Sequence, residues 1–177
     1  YYKFSKKIDT INKGLQKINI AFLANFTVEL LEPFIKVELA KRNFKPNIYF
    51  AAYDQIEQEV YNKNSKIYKD KNDIIIIAIR LENLLPDLFT DLIYSNKKFT
   101  KKIKEIKKRI FNLINQTRKK NTFSKIVFFN FNYIEEDFQA FTSTSSNINL
   151  NSLIEQINSY LISLAKKFNS VFIFDFK

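Results

Sequence analysis

The chain has no cysteine and no histidine among its 177 residues. The first absence removes disulfides and thiol chemistry. The second removes more: a Ser-His-Asp triad, a Cys-His pair and an imidazole zinc site are all impossible within these residues. Glycine occurs once, at position 14, so no glycine-rich phosphate loop can be built. No apolar run approaches the roughly 18 residues of a membrane helix, and no signal peptide is visible, which makes a cytoplasmic protein the default.

What is abundant is Ile, Asn, Lys and aromatic residues, with 19 Phe and 9 Tyr. An AT-rich coding sequence accounts for that bias, and no function follows from it. Apolar residues make up 46% and charged residues 27%, the proportions of a soluble globular protein with a core of its own. The chain opens with Tyr1 rather than Met and stops at Lys177, two residues after an apolar strand. It therefore reads as an excised piece of something longer.

Periodicity gives the architecture. Phe4, Ile8, Ile11 and Leu15 are spaced as on a helix, so residues 1–16 read as an amphipathic lead-in helix covering part of a sheet. Ile18 to Leu23 is almost continuously apolar, as in a strand buried on both faces of a parallel sheet. Residues 28–42 follow as a helix, with Leu30, Leu31, Phe34, Val37 and Leu39 as its apolar face, Thr27 as cap and Pro33 near the first turn. Residues 46–52 form a short second strand. Asp54-Gln55-Ile56-Glu57 has the shape of a capping box for a helix to Tyr61, and Asn62 to Asn72 reads as a connecting loop with a turn around Ser65. The β-branched run Asp73 to Ile79 is the clearest strand.

A long helix spans 99–118, with Phe99, Ile103, Ile106, Ile110 and Leu113 inward. Residues 125–130 give the fourth strand. Thr142 to Asn149 is a Ser/Thr/Asn-rich loop. Ser152-Leu153-Ile154-Glu155 opens a helix to about Phe168, and residues 171–174 form the fifth strand, ending at Asp175. Strands alternating with helices predict an α/β fold: a three-layer, doubly wound, five-stranded parallel sheet of flavodoxin-like order 2-1-3-4-5. Residues 17–177 read as a single domain.

In such sheets ligands bind past the carboxyl ends of the strands. That rim carries Asn25, Thr27, Asp54, Arg80, Asn130 and Asn132. Asn25 could donate to a substrate carbonyl or phosphate, or fix its own loop as an Asx-turn. Thr27 is a weak candidate nucleophile or simply a helix cap. Asp54 is a cap or a polar ligand contact. Arg80 suits a phosphate or carboxylate, or pairs with Glu82, Asp54 or Asp175 to hold loops together. Glu135-Glu136-Asp137 are adjacent carboxylates that do not converge easily, so no metal site is expected there.

Charge is concentrated. Lys97 to Lys120 holds 11 basic residues and one acid, Glu105, against a net charge of +11 for the whole chain. Such a face, with Lys104, Lys107 and Lys108 at its centre, could attract nucleic acid, an anionic membrane surface or an acidic protein, or be a solvated helix face. Nucleic acid is disfavoured, because no stacking platform or binding motif accompanies the lysines.

Several motifs fall in an order that resembles a known family: INIAFLANFTVELLEPF at 18–34, Tyr-Phe-Ala-Ala-Tyr-Asp-Gln-Ile-Glu-Gln-Glu at 49–59, NDIIIIAIRLENLLP at 72–86, Ile157-Asn158-Ser159-Tyr160-Leu161, and Asp175. This pattern resembles the N-terminal, SGNH-hydrolase-like domain of the FkbH-like proteins, in which a phosphatase domain of the haloacid dehalogenase superfamily follows. The resemblance implies handling of three-carbon glyceryl units: dephosphorylation of a glyceryl phosphate donor and loading of an acyl-carrier protein. It places the catalytic aspartates and magnesium in a downstream phosphatase domain, with no cofactor in these residues. SGNH hydrolases use a Ser after the first strand and a late Asp-x-x-His. Here Asn25-Phe26-Thr27 stands in the Ser position, Asp175 could match the late Asp, and the chain ends before a His. The expectation is a non-catalytic domain that helps bind substrate or carrier protein. Two alternatives stay open: an ester hydrolase whose His lies past Lys177, and a basic interaction module.

Overall fold

The sheet is built around Gln16–Ala24 (β1) and Ile74–Ala78 (β3), which lie side by side in parallel, with Phe22 opposite Ile76. Phe44–Phe50 (β2) pairs with the other edge of β1, and Lys125–Phe129 (β4) and Val171–Phe174 (β5) extend the sheet beyond β3. The order is β2-β1-β3-β4-β5, all parallel, the flavodoxin-like order that the alternation of elements predicts. The computed structural model describes residues 1–10, 14–84, 96–132 and 150–175, without the side chains of 96–99 and 150. Leu85, Pro86, the Glu135-Glu136-Asp137 triplet and the loop 142–149 lie outside the described residues.

The reversal of strand order at β1 decides which side each helix covers, because right-handed crossovers leaving β1 in opposite directions fall on opposite faces. Glu32–Ala40 (α2) returns the chain to β2 on one face. Ile56–Tyr61 (α3), Lys66–Lys69 (α4), Leu81–Leu84 (α5), Asn96–Lys120 (α6) and Leu150–Lys167 (α7) are the remaining helices named here after Tyr2–Thr10 (α1). On the α3, α6 and α7 side, Ala21, Leu23, Ile75, Ile77, Ile126 and Phe128 are sealed beneath Ile106, Ile110, Leu113, Leu153 and Leu161. The opposite face holds a smaller core of Ile20, Phe22, Ala24, Val28 and Ala78, with Ile35 and Leu39 of α2 packed on it.

Several expected boundaries shift, each for a physical reason. The lead-in helix ends at Thr10; the single glycine, Gly14, takes φ +88 in the turn before β1, and Leu15 lies in that turn rather than on the helix. Helix α1 packs mainly on α2 and reaches the sheet at its edge: Asp9 pairs with Lys36 at 2.9 Å, the Tyr1 ring lies 4.7 Å from that of Phe34, and Lys45 of β2 donates to the Asp9 carbonyl at 2.9 Å. Helix α2 begins at Glu32, after a single 3₁₀ turn at Glu29–Leu31, so Leu30, Leu31 and Phe34 are exposed rather than inward. Pro33 does fall in the first turn, and Pro46 sits in the edge strand β2, where a missing N–H leaves no ladder bond unmade.

None of the expected caps on the rim forms. Thr27 is not a cap, because Val28 precedes the 3₁₀ turn and its N–H is taken by the Glu29 carboxylate at 3.0 Å. Asp54 is not a cap either: it adopts φ +55, and the residue before α3 is Gln55, with no side-chain capping bond. Helix α7 starts at Leu150, so Ser152 lies inside it. A cap does form at Ser65, whose hydroxyl accepts the Ile67 N–H at 3.1 Å and turns part of the expected loop into α4. Scarcity of glycine also shows in the turns. Asn43, Asp54, Lys71 and Ser170 hold left-handed conformations that glycine would adopt without a steric cost.

Candidate functional site

The strand order reverses between β1 and β3, and the carboxyl ends of these two strands are where this fold opens a ligand crevice. What stands there is a buried asparagine. The Asn25 N–H continues the ladder to the Ala78 carbonyl at 3.4 Å. Its side chain then imitates one more peptide unit: Oδ1 accepts the Arg80 N–H at 2.7 Å and Nδ2 donates to the Arg80 carbonyl at 3.1 Å. Asn83, on the short helix α5, donates from Nδ2 to the Asn25 carbonyl at 2.5 Å. Asn25 is only 1% exposed. Its amide is thus engaged on both sides by backbone.

The neighbouring loop joins the same mesh. Ala51 N–H donates to the Phe22 carbonyl at 2.9 Å and Asp54 N–H to the Ala24 carbonyl at 3.2 Å. These bonds bring the loops bearing Asn25, Asp54 and Arg80 together by their backbones. Asp54, Thr27 and Tyr53 remain exposed.

Arg80 differs from the rest of the rim. Its backbone is clamped, but its guanidinium lies 4.7 Å above the Phe26 ring, and no ion pair among the described residues includes it. Of its expected carboxylate partners, Asp175 takes the Asn130 side-chain N–H instead. A guanidinium held over an aromatic face keeps its in-plane N–H fork available for a planar or tetrahedral oxyanion.

The far half of the rim repeats the amide device. Asn130 N–H donates to the Phe174 carbonyl at 3.0 Å, tying β4 to β5. One residue on, Asn158 of α7 accepts the Phe131 N–H at 2.9 Å and donates to the Phe131 carbonyl at 2.8 Å. Asn158 was not among the residues expected at the site. The signal was available, since a polar side chain four residues after the inward Ile154 needs a buried partner.

The acidic motif after β2 also resolves into contacts. Glu57 pairs with Arg109 of α6, and Glu59 accepts from the Tyr49 hydroxyl at 2.9 Å and from Ser65. Burial, then the Glu59 contact, pushes the Tyr49 phenol up to about 12. On α6, Lys104 and Lys108 are exposed, and Lys107 lies 5.6 Å over the Tyr160 ring of α7. Among the described residues, no three His, Cys, Asp or Glu groups converge to hold a metal, and no helix is long and apolar enough to cross a membrane.

A family model described as the FkbH N-terminal domain matches residues 19–177. A search of curated protein sequences finds no match. One solved structure with the same fold is the N-terminal part of the protein BF1531 from Bacteroides fragilis, described as containing a phosphatase domain complexed with Mg. It superposes with a TM-score of 0.76 at 18% identity, over 99% of this chain and 45% of that one. The present chain thus spans less than half the length of that protein.

Proposed function

The chain belongs to the FkbH N-terminal domain family, and from that premise we propose that it is a binding domain serving a phosphatase domain of the same protein. In this reading the carboxyl rim holds a small phosphorylated three-carbon substrate through Arg80, the basic outer face of α6 receives an acidic acyl-carrier protein, and the domain breaks no bond itself. The observation that carries the reading is the contrast between Asn25 and Arg80. The amide that could have stabilised an oxyanion is buried and bonded to backbone, whereas the guanidinium beside it stacks on Phe26 with no carboxylate among the described residues.

The ester-hydrolase alternative is poorly served by the same geometry. Thr27 is exposed, and among the described residues no base is hydrogen-bonded to it; a threonine hydroxyl needs such a base to act as a nucleophile. Among the described residues no three carboxylates converge, and the resemblance puts the catalytic aspartates in the phosphatase portion. Metal-assisted phosphoryl chemistry therefore belongs to the phosphatase portion in this proposal. For α6, part of the cationic charge is already engaged: Arg109 on Glu57, Arg118 on turn carbonyls, and Lys120 on the carbonyls of Val60 and Tyr61. In this proposal Lys104 and Lys108, exposed on the helix, and Lys107 on the α7 flank are assigned to the partner.

The test uses the full-length protein. Arg80→Ala should raise KM for a glyceryl phosphate at least tenfold with little change in kcat, and Arg80→Lys should recover only part of the loss, because a point charge replaces the fork. Triple reversal at Lys104, Lys107 and Lys108 should weaken carrier-protein binding while leaving the small phosphate unaffected. Unchanged kinetics in Arg80→Ala would remove the substrate role, and ester hydrolysis abolished by Thr27→Val would replace the proposal with the hydrolase.

A further inference from the structure

The opposite end of the sheet carries a second feature, independent of the rim. Between α6 and β4 the chain turns through Asn121-Thr122-Phe123-Ser124, and the Phe123 side chain is 95% exposed, more than any other large apolar residue described. Single exposed apolar residues are ordinary on protein surfaces. This one is unusual because its turn is fixed from several directions. Asn121 Oδ1 accepts the N–H groups of Phe123 at 3.0 Å and Ser124 at 2.9 Å, and Asn121 Nδ2 donates to Ser124 Oγ at 2.7 Å. Ser124 Oγ in turn donates to the Asn72 carbonyl. The Arg118 guanidinium donates to the carbonyls of Asn121, Thr122, Ser124 and Ser170 at 2.9–3.3 Å. The ring is therefore displayed on a rigid base, and little further ordering is needed when it is buried.

Phe123 borders a cleft of about 700 Å³ at the amino ends of β1, β3 and β4, whose apolar lining comes from Ile18, Ile74 and Tyr68. Lys71 and Lys125 stand exposed in the same lining. The other charges in the lining are already engaged: Asp73, also exposed, accepts the Asn19 N–H at 2.7 Å, and Lys120 donates to two backbone carbonyls, which leaves the cationic sign in excess. A preorganised aromatic knob beside an apolar floor, rimmed by two ammonium groups, is the anatomy of an interface anchor.

We propose that this cleft docks an acidic peptide segment of a partner protein. One apolar side chain of the segment enters between Phe123 and the Ile18–Ile74 floor, and flanking carboxylates meet Lys71 and Lys125. A second copy of this chain fits poorly, because a two-fold contact across the cleft would bring Lys71 and Lys125 against the same lysines of the other copy. An anionic bilayer fits poorly too, since membrane-inserting loops present several apolar residues at a convex tip, whereas one ring here borders a concave cleft.

The probe is a short fluorescent peptide of Asp and Glu containing leucines, followed by anisotropy against the whole chain, with a leucine-free peptide and phosphatidylserine vesicles as comparisons. Phe123→Ser should weaken peptide binding at least tenfold while leaving Tm unchanged. Lys71→Glu with Lys125→Glu should weaken it by a similar factor and flatten its salt dependence, and reversal at Lys104, Lys107 and Lys108 should leave it intact. The proposal is overturned if the leucine-containing peptide fails to bind, or if its binding survives Phe123→Ser. It is also overturned if only vesicles are bound, or if Phe123→Ser chiefly abolishes self-association of the chain.

Discussion

The two ends of the sheet invert the usual expectation for this fold. The carboxyl end, at the switch point between β1 and β3, has its polar side chains turned back onto the protein: Asn25 on Arg80, Asn130 on Asp175, Asn158 on Phe131. The amino end, where an open α/β sheet ordinarily keeps no site, presents Phe123 beside an apolar cleft. Both ends are stitched by asparagine, yet with opposite results. At the carboxyl end the stitching closes the gap between two strands and leaves one guanidinium outside. At the amino end it props an aromatic ring into solvent. A fold tells where a site can be; which side chains remain unengaged after the loops have been held together decides what it can do.

The largest expected effect breaks the carboxyl end. Asn25→Ala leaves the partly buried N–H and carbonyl of Arg80 without their side-chain partner and empties a buried position, which should cost roughly 2–4 kcal/mol of stability, the penalty of two orphaned backbone groups. Asn25→Asp should fare no better, because a carboxylate can accept the Arg80 N–H but cannot donate to its carbonyl. Denaturant melts of the three proteins would measure this. A loss below about 0.5 kcal/mol, the range of ordinary surface changes, would mean that the clamp is not what holds β1 to β3.

A smaller effect is expected at the amino end. Asn121→Ala removes the side-chain oxygen that collects the N–H groups of Phe123 and Ser124. The turn is only partly buried, so water can replace part of the loss and about 1–2 kcal/mol is expected. Amide hydrogen exchange should show faster opening at residues 121–124 with the carboxyl rim unchanged. Faster exchange at Arg80 as well would mean that the two ends are coupled, and the comparison between them would fail.

Much of this was legible in the sequence. The continuous apolar runs 18–23 and 73–79 identified strands with helices on both sides, and alternation with helices led to the order found. The rim residues were also placed by sequence alone, since each follows a strand. What each of them does there was not legible. Thr27 and Asp54 matched capping patterns, but tertiary demands overrode local ones: Glu29 took the Val28 N–H, and Asp54 entered a left-handed turn to reach Ala24. The partner of Asn25 lies 55 positions away, and no local pattern reports it. The apolar faces read for the first two helices were only partly right: Phe4 of α1 is exposed, and the 3₁₀ turn ahead of α2 leaves Leu30 and Leu31, with Phe34, outside.

The ends differ finally in their response to alkali. The carboxyl clamps are amides and do not titrate. The amino-end cleft is bordered by Tyr68, whose hydroxyl donates to the Val60 carbonyl at 2.7 Å and whose phenol burial pushes up to about 12; Tyr49, hydrogen-bonded to Glu59, is likewise raised to about 12. An unfolded tyrosine loses its proton near pH 10. Between pH 10 and about 12 these two phenols hold more protons in the folded chain than in the unfolded one, so the stability they contribute is fully present below pH 10 and is lost as pH rises through that window. Tyr68→Phe should flatten this decline and Tyr49→Phe should flatten it further, with no effect from Asn25→Ala on its slope. Melting temperatures from pH 9 to 12 would measure it. A slope that is the same in Tyr68→Phe and the parent chain would show that the amino end is not where alkali acts.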